Sequence, residues 1–362
     1  MKRLLYLQFA VVFALLMITS VFIQAAEVPI NYPGDTKSTT ARRGQWIEEA
    51  KKEKTLSWWG ILTPEEGKRV IAEFNKVYPF IKVDYWRGGP DELAAKVEAE
   101  FVSGRSVFDL VLGAEPHNHP RWRKIGLLAK ITLLMPDIGK IDKNMYSTFG
   151  DWFIPGNNAI TPQYNSNLVS ADNAPKTWED LLNPKWKGQI AVATMVHAWY
   201  TLALAEGGWG VNKTVDFLTK LKSQGLIYAR GHSAAHAMMI TGDFSVTAAG
   251  FVYHVLKSKA KGAPVEWVRA NPVPVTGPAL ILNAKAPHAN AASLFLEWVS
   301  SPQGLLAYDR ITYYGAVFPG AGTRIANAVK GLNIIYRTEE VELQAMELGL
   351  VDKFSKILGI TK

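Results

Sequence analysis

The chain has 362 residues, of which 48% are hydrophobic and 20% charged, a composition that excludes a disordered protein and allows one large or two medium domains. Its formal net charge is +8, but the basic residues are scattered and no dense basic run is interleaved with aromatics, so we expect no nucleic-acid partner. The absence of cysteine excludes disulfides and excludes lipid attachment to a cysteine behind a leader.

The first 25 residues have the pattern of a secretory signal. Lys2 and Arg3 precede an apolar run over 4–23, which ends at the small residues Ala25 and Ala26. The alternative is an uncleaved membrane anchor, because the run is about long enough to span a bilayer. No second apolar run of that length follows, so we predict cleavage after Ala25 or Ala26 and a periplasmic mature protein.

In chain order, the mature sequence begins with an extended arm over 27–43, rich in proline, glycine and threonine. A short helix over 45–53 and a strand over 55–59 follow. The stretch Thr63–Glu66 then combines an N-cap threonine, a proline at the first helical position and a glutamate that completes a capping box. This pattern predicts that a helix begins here.

The next hundred residues continue the alternation of strands and helices. Alternating apolar and polar residues over 81–86 predict a strand, Pro90 opens a helix that closes near Gly104, and 108–112 is a short apolar strand. Strand, helix, strand, helix, strand in about sixty residues is typical of a parallel sheet covered by helices.

The middle of the chain predicts a second α/β unit. Its predicted elements are helices over 178–182, 199–206, 213–223 and 251–259, a helix from about Ser233, and strands over 189–193, 226–229 and 244–248. Two extended stretches rich in Pro, Asn and Gly, over 158–165 and 270–282, predict two connections between the same two lobes. A helix over 290–300 would then return to the first lobe.

Four blocks of sequence carry a family resemblance: VDYWRGGPDELAAKVEAE at 83–100, PQYNSNLV at 162–169, PKTWEDLLNPKWKGQIAV at 175–192 and AASLFLEWVSSPQG at 291–304. Together they resemble the extracellular solute-binding proteins of bacterial ABC importers, in the group that includes the iron(III)-binding proteins. The third block is the most specific, because Trp-x-x-Leu followed by Asn-Pro-x-Trp-Lys-Gly before a strand is a signature of that group.

The resemblance implies a type II periplasmic binding protein fold, in which two α/β lobes, each a helix-covered and mostly parallel sheet, are joined by two hinge strands. It also implies a monomer that captures a small molecule and delivers it to a membrane ABC permease, without enzymatic activity or a cofactor. The predicted division is a signal over 1–25, lobe 1 over 26–160 and 275–330, lobe 2 over 161–274, and a C-terminal helical segment over 331–362.

Ligands of such sheets bind beyond the carboxyl ends of the strands. We therefore predict an interlobe site for an organic ligand, with an anion favoured by the positive field and by a helix that begins near Ser233. An aromatic wall is expected from Trp59. The predicted ligand-binding residues are Trp59, Gly60, Gly88, Gly89, Glu115, Tyr164, Tyr200, His232, Ser233 and Tyr253.

A metal ion is a second class of ligand that the sequence allows. The iron(III) members of the family use two adjacent tyrosines, which fall here on Val252 and Tyr253, so only the second is kept. A divalent metal at Glu115, His117 and His119 is a further option, because the three residues follow a predicted strand at two-residue spacing.

A zinc site and a serine hydrolase are two more hypotheses, and both involve the predicted helix near Ser233. His232 and His236 lie at i, i+4, a spacing that can bind zinc, although the residue after His232 is not glutamate. Ser233 lies between a predicted strand and a predicted helix, close to the pattern of a hydrolase nucleophile, but with alanine where the last glycine should be.

Overall fold

The computed structural model describes Tyr32 and residues 35–135, 141–318 and 320–360. The predicted signal over 1–25 and its cleavage site lie outside this range. Within it, no helix has both the length and the apolar character needed to cross a bilayer.

The described part of the chain contains eleven strands and thirteen α-helices, together with short 3₁₀ turns and loops. The strands are β1 (Thr55–Gly60), β2 (Lys82–Arg87), β3 (Leu110–Ala114), β4 (Asn158–Asn165), β5 (Ile190–Ala193), β6 (Ile227–Ala229), β7 (Val246–Phe251), β8 (Val265–Trp267), β9 (Val273–Thr276), β10 (Ala279–Leu282) and β11 (Ile334–Tyr336). The helices are α1 (Lys37–Glu53), α2 (Pro64–Asn75), α3 (Pro90–Val102), α4 (His119–Lys124), α5 (His197–Leu204), α6 (Val211–Lys222), α7 (His232–Thr241), α8 (Val252–Lys259), α9 (Ala289–Ser300), α10 (Pro302–Thr312), α11 (Arg324–Ala328), α12 (Glu339–Glu347) and α13 (Leu350–Leu358).

The first lobe is built on a four-stranded sheet with the order β10-β3-β1-β2. Strands β1, β2 and β3 are parallel, and β10 returns antiparallel beside β3. Helix α9 packs on α1 and β1, so the chain does return to this lobe at the helix predicted over 290–300. The carboxyl ends of the three parallel strands therefore lie together at one edge.

The second lobe is built on a mixed sheet with the order β11-β9-β4-β7-β5-β6, and β8 pairs with β4. Strands β5, β6 and β7 are parallel, whereas β4 runs antiparallel to β7, β8 and β9. The predicted strand over 158–165 is thus a central member of this sheet rather than a free connection. Its eight residues are all buried, as expected of a strand with neighbours on both sides.

The helix start predicted at Thr63–Glu66 is confirmed. The Thr63 hydroxyl accepts from the backbone N–H of Glu66, and the Glu66 carboxylate accepts from the backbone N–H of Thr63, with Pro64 at the first helical position. The two acidic residues of the first turn, Glu65 and Glu66, also favour the positive end of the helix dipole.

The extended arm predicted over 27–43 is wrong from Lys37 onward, because α1 begins there. Thr36 caps the helix in a capping box with Thr39, a Thr-x-x-Thr version of the usual motif. Arg43 anchors the helix: its guanidinium donates to Asp35 and to Glu297 of α9 and is only 2% exposed. The long-range ion pair with Glu297 was not visible in the local sequence pattern.

The chain crosses between the two sheets at two adjacent places. Phe153 bridges Leu280 of the first sheet before β4 enters the second sheet, and only Gly277 and Pro278 separate β9 from β10. At Gly277 any side chain would overlap the carbonyl oxygen of Gly156. The two crossings are therefore in backbone contact, and a glycine is needed where they touch.

Replacing Gly277 with alanine is expected to lower the free energy of unfolding by about 1–3 kcal/mol, because an added methyl group must push two backbone segments apart. Gly44 is a matched control, since a methyl group there would meet no atom within 4 Å and would favour α1. Urea denaturation of both variants measures the difference. Equal stabilities of the two variants would show that the crossings are not in close contact.

The last described part of the chain packs mainly on the second lobe. Strand β11 pairs parallel with β9, so the segment predicted as helical over 331–362 also contributes a strand. Leu350, Phe354 and Leu358 of α13 are buried in the core of the second lobe, where α13 packs on α6. The same segment also contacts the first lobe.

Candidate functional site

A cavity of about 950 Å³ lies between the two sheets, at the carboxyl ends of parallel strands from both. The first lobe contributes Ile61, Pro90, Asp91, Glu115 and His117; the second contributes residues 194–197, Tyr200, Arg230 and Phe251. The crossing at 276–278 and the C-terminal residues Arg337 and Glu342 complete the wall. This is the position at which ligands bind in open α/β sheets.

The second-lobe wall carries groups that attract negative charge. Strands β5 and β6 end side by side, with the backbone N–H of Thr194 bonded to the carbonyl of Ala229, so Arg230 lies next to the turn that leads into α5. No side chain caps α5, which leaves first-turn N–H groups available at the cavity. Arg230 is exposed and makes no ion pair or side-chain hydrogen bond with any described residue. An unpaired guanidinium beside an uncapped helix N-terminus favours an anion.

His197, the first residue of α5, adds a neutral polar group to this wall. The side chain is 7% exposed, and its Nε2 has no hydrogen-bond partner among the described residues. Burial lowers the pKa of His197 well below its usual value, and the nearby ring of His232 and the charge of Arg337 act in the same direction. The imidazole is therefore neutral at pH 7 and can offer Nε2 to a ligand as a hydrogen-bond donor or acceptor.

A cluster of paired charges forms another part of the cavity wall. The Arg337 guanidinium donates to Glu115 of the first lobe, with an Nη2–Oε2 distance of 2.9 Å, and to Glu342, with an Nε–Oε2 distance of 2.7 Å. Glu342 also accepts from the hydroxyl of Tyr200 and lies beside His117. Burial opposes the charge of Glu342, but these partners outweigh it and keep its pKa well below the usual range. The cluster joins both lobes and the C-terminal segment at the cavity.

A second polar contact between the lobes lies behind this wall, at Glu339 of α12. Its carboxylate accepts from Arg123, with an Nη1–Oε1 distance of 3.0 Å, and from the Trp152 indole at 2.9 Å, and it lies 3.2 Å from Nδ1 of His119. Arg123 also pairs with Asp151 at 2.6 Å. Because α12 packs on α5 of the second lobe, Glu339 ties that lobe to the first in addition to the two chain crossings.

Of the ten predicted site residues, Glu115 and Tyr200 line the cavity. His232 lies directly behind the wall, with its ring centroid 4.2 Å from that of Phe251 and 5.2 Å from that of His197. Tyr253 lies behind Tyr314, another cavity residue, with ring centroids 4.7 Å apart. The structure therefore brings these four predicted residues to or next to one cavity.

The prediction of an aromatic wall at Trp59 is wrong. Trp59 is 5% exposed, lies in the hydrophobic core of the first lobe and packs its ring 4.9 Å from Phe108 and 5.3 Å from Trp86. Its neighbour Trp58 points the opposite way and is also buried, beside Tyr85. Both faces of this strand are covered, so neither indole is available as a wall.

Three predicted glycines do not line the cavity either. A Cβ at Gly60 would meet the Tyr85 hydroxyl at 3.2 Å, and a Cβ at Gly88 would meet the Trp86 ring at 2.5 Å, so packing explains both residues. Gly89 begins α3 and has open space around it. It is next to Pro90 and Asp91, which do line the cavity.

Tyr164 and Ser233 lie away from the cavity. Because β4 runs antiparallel to β7, Tyr164 pairs with Val246 at the start of β7, whereas the cavity lies at the other end, by Phe251. The Ser233 hydroxyl lies 3.4 Å from Nε2 of His254 on α8, outside the cavity wall. The start of α7, where an anion site was predicted, therefore lies outside the cavity, whereas the start of α5 lines it.

Neither a metal site nor a hydrolase triad is assembled in the described residues. Glu115, His117 and His119 pair with three different C-terminal side chains, and no described group of three or more histidine or acidic residues is arranged to hold a metal ion. The Nδ1 atom of His254 has no partner in the described part of the chain, so no carboxylate orients it as in a Ser-His-acid triad.

Sequence reasoning missed the residues that carry most of the site: Arg230, His197, Tyr314 and Arg337. Arg230 follows a predicted strand, and that position at a strand end was a usable signal. Arg337 had no such signal, since it reaches the cavity only because β11 adds to the second sheet more than fifty residues after β10.

Comparison with known proteins gives a consistent picture of the fold. The sequence model of a family described as bacterial extracellular solute-binding proteins matches residues 69–330. A protein of unassigned function from Haemophilus influenzae is 28% identical over 138 residues, which cover 36% of this chain and 38% of that protein. The chain thus matches little more than a third of the length of this curated relative.

Solved structures cover far more of the chain. A periplasmic binding protein from Actinobacillus pleuropneumoniae, AfuA with exogenous fructose-6-phosphate bound, has a TM-score of 0.64 at 19% identity over 85% of this chain and 99% of that one. Iron-bound HitA from Pseudomonas aeruginosa has a TM-score of 0.65 at 19% identity over 83% of this chain and 99% of that one. The predicted two-lobed binding-protein fold is therefore confirmed.

Proposed function

Because the chain belongs to the family of bacterial extracellular solute-binding proteins, we propose that it captures a small organic anion between its lobes and delivers it to a membrane ABC importer. The predicted lobe boundaries at 160/161 and 274/275 fall inside β4 and β9, which belong to the second sheet, so in this proposal the lobes meet just before β4 and just after β9, with the C-terminal segment bridging them. The protein acts as a periplasmic monomer after removal of residues 1–25, and it binds without catalysing a reaction.

One observation carries the anionic ligand: the unpaired Arg230 beside the uncapped N-terminus of α5, with the unpartnered His197 Nε2 on the same wall. Arg230 and the free N–H groups of the helix are donors, and leaving the buried His197 Nε2 without a partner is costly, so a ligand that supplies acceptors fits this wall. The bound fructose-6-phosphate of AfuA, a similar fold, supports a ligand with an anionic group.

Binding energy also drives closure in this proposal. A ligand that contacts both Arg230 of the second lobe and Glu115 of the first stabilises the closed arrangement of the lobes, because both residues can contact the ligand only there. Binding therefore shifts the population toward the closed form. The two crossings, which are in contact at Gly156 and Gly277, provide the hinge in this proposal.

The test is a thermal-shift screen of organic phosphates and carboxylates, followed by calorimetry on the compounds that raise the melting temperature. Replacing Arg230 with glutamine is expected to weaken binding about 10- to 100-fold, because the charge-assisted hydrogen bond to the anionic group is lost. Arg105→Gln, an equal change of charge at an exposed position after α3, is the control and should leave affinity unchanged. Binding that is unaffected by Arg230→Gln would contradict the assignment of this wall.

Ferric ion is the second candidate, and the approach of Tyr253 to Tyr314 is the observation that favours it. Against it, Val252 replaces the first tyrosine of the family pair, and burial raises the pKa of Tyr253 to about 12, which opposes a phenolate. A phenolate–iron site would colour the protein. We expect a colourless preparation; visible absorbance that a chelator removes would favour iron instead.

A further inference from the structure

The two walls of the cavity differ in chemistry. The second-lobe wall offers donors, from Arg230 and the start of α5, whereas the first-lobe wall offers acceptors, from Asp91 and Glu115. These acidic residues follow β2 and β3, which flank β1 at the carboxyl edge of the first sheet. A ligand held by both walls therefore needs two kinds of groups.

We propose that the first-lobe wall recognises hydroxyl groups, so that the preferred ligand is a hydroxylated organic anion, with Glu115 as the residue that determines this preference. The inference rests on the proposed function, since it assigns the other end of the same ligand. It adds a specificity determinant on the wall opposite the anion site.

Glu115 is positioned for this role by Arg337. One carboxylate oxygen accepts from Arg337 at 2.9 Å, and the other has no partner among the described residues. The carboxylate is about one-third exposed, which leaves it open to the cavity but fixed in direction. The neighbouring Glu342 carboxylate already accepts from Arg337 and from the Tyr200 hydroxyl, so it is not available to accept from a ligand hydroxyl.

A hydroxyl group fits this wall better than a cation. The Glu115 carboxylate is already paired with Arg337 through one oxygen, and Asp91 is exposed to solvent, so neither forms the unpaired buried carboxylate that holds an ammonium group. A hydroxyl donates to a carboxylate and accepts from a neighbouring donor at the same time.

The opposite wall provides an independent reason. His197 is more than nine-tenths buried, lines the same cavity and has an unpartnered Nε2 in the described part of the chain. Because the neutral ring can donate or accept at Nε2, a hydroxyl group of the ligand is a suitable partner for it. Phe251 and Tyr314 provide apolar ring faces for the carbon skeleton of the ligand.

Two matched pairs of probes test the proposal: sorbitol 6-phosphate with hexyl phosphate, and gluconate with hexanoate. Within each pair the anionic group and the chain length are the same and only the hydroxyls differ. We expect the wild-type protein to bind at least one hydroxylated probe about tenfold or more tightly than its alkyl partner, by calorimetry.

Glu115→Gln and Asp91→Asn are expected to reduce this ratio, Glu115→Gln by about tenfold, because the hydroxylated probe loses an acceptor that the alkyl probe does not use. Glu65→Gln, an exposed change on α2, is the control and should keep the ratio. Asp91 is exposed, so its variant folds even if Glu115→Gln does not.

Two sets of results would overturn the proposal. Equal binding within both pairs, or an equal loss for both members in Glu115→Gln, refutes hydroxyl selection while the anion site stands. Binding of no anionic probe refutes the proposed function and this inference together.

Discussion

Replacing Glu297 with alanine is expected to lower the free energy of unfolding by about 3–5 kcal/mol, the largest stability effect we predict for a single side chain. Arg43 is 2% exposed and Glu297 is fully buried, with an Nε–Oε2 distance of 2.6 Å. Without Glu297, the guanidinium loses the acceptor of its Nε and of one Nη2 hydrogen bond, although it keeps Asp35, and it remains buried away from water. The guanidinium N–H groups that donated to Glu297 then have lost their acceptor in a site closed to water, and an unsatisfied buried charged donor is costly.

The control is Asp216→Ala, which removes an ion pair of similar length from the surface of α6. Asp216 lies 2.7 Å from Lys220, but the two side chains are 62% and 60% exposed. Solvent screening should limit its contribution to less than about 0.5 kcal/mol. Urea denaturation at pH 7 compares the two variants, and similar losses would show that the Arg43 cluster does not anchor α1 to the first lobe.

Replacing Glu339 with alanine is expected to cost about 2–4 kcal/mol at pH 7, because Arg123, Trp152 and His119 lose a shared acceptor. Glu340 is the matched control: it is the next residue on the same helix, is exposed and, among the described residues, makes only a 3.5 Å side-chain contact with Thr148. We expect Glu340→Ala to change stability by less than about 0.5 kcal/mol.

The effect of Glu339 should also depend on pH. Burial raises the pKa of this carboxyl, but hydrogen bonds from its three partners outweigh burial and bring the pKa to about 2, below the ordinary 4.5. A depressed carboxyl pKa stabilises the fold above pH 4.5, and the contribution is lost as the pH falls toward 2. The difference between wild type and Glu339→Ala should therefore shrink between about pH 5 and pH 3. A constant difference would indicate that Glu339 acts through packing rather than charge.

The fold could be predicted well where local patterns dominate. Helix α2 follows directly from the Thr63–Glu66 capping box, and alternation marked β2 within one residue at each end. Helix α1 was predicted too short because its start depends on Thr36 and on Arg43 reaching Glu297, which is distant in sequence. Short-range patterns do not contain such partners.

The site could be predicted only in part, for a related reason. Strand ends pointed correctly to Glu115, but whether a residue such as Trp59 faces a cavity or a core depends on which helices cover the strand. Arg337 became a cavity residue through a strand added late in the chain, and Tyr164 was excluded by the antiparallel direction of β4. Both depend on sheet topology rather than on residue type.

The most direct test of an organic anion bound between the lobes is native mass spectrometry of the purified protein, followed by mild denaturation and identification of whatever is released. We expect a complex whose added mass is that of a small organic acid or phosphate, lost on denaturation and reduced in the Arg230→Gln variant. Release of ferric ion in its place, with the same occupancy in the Arg230→Gln variant, would contradict this account.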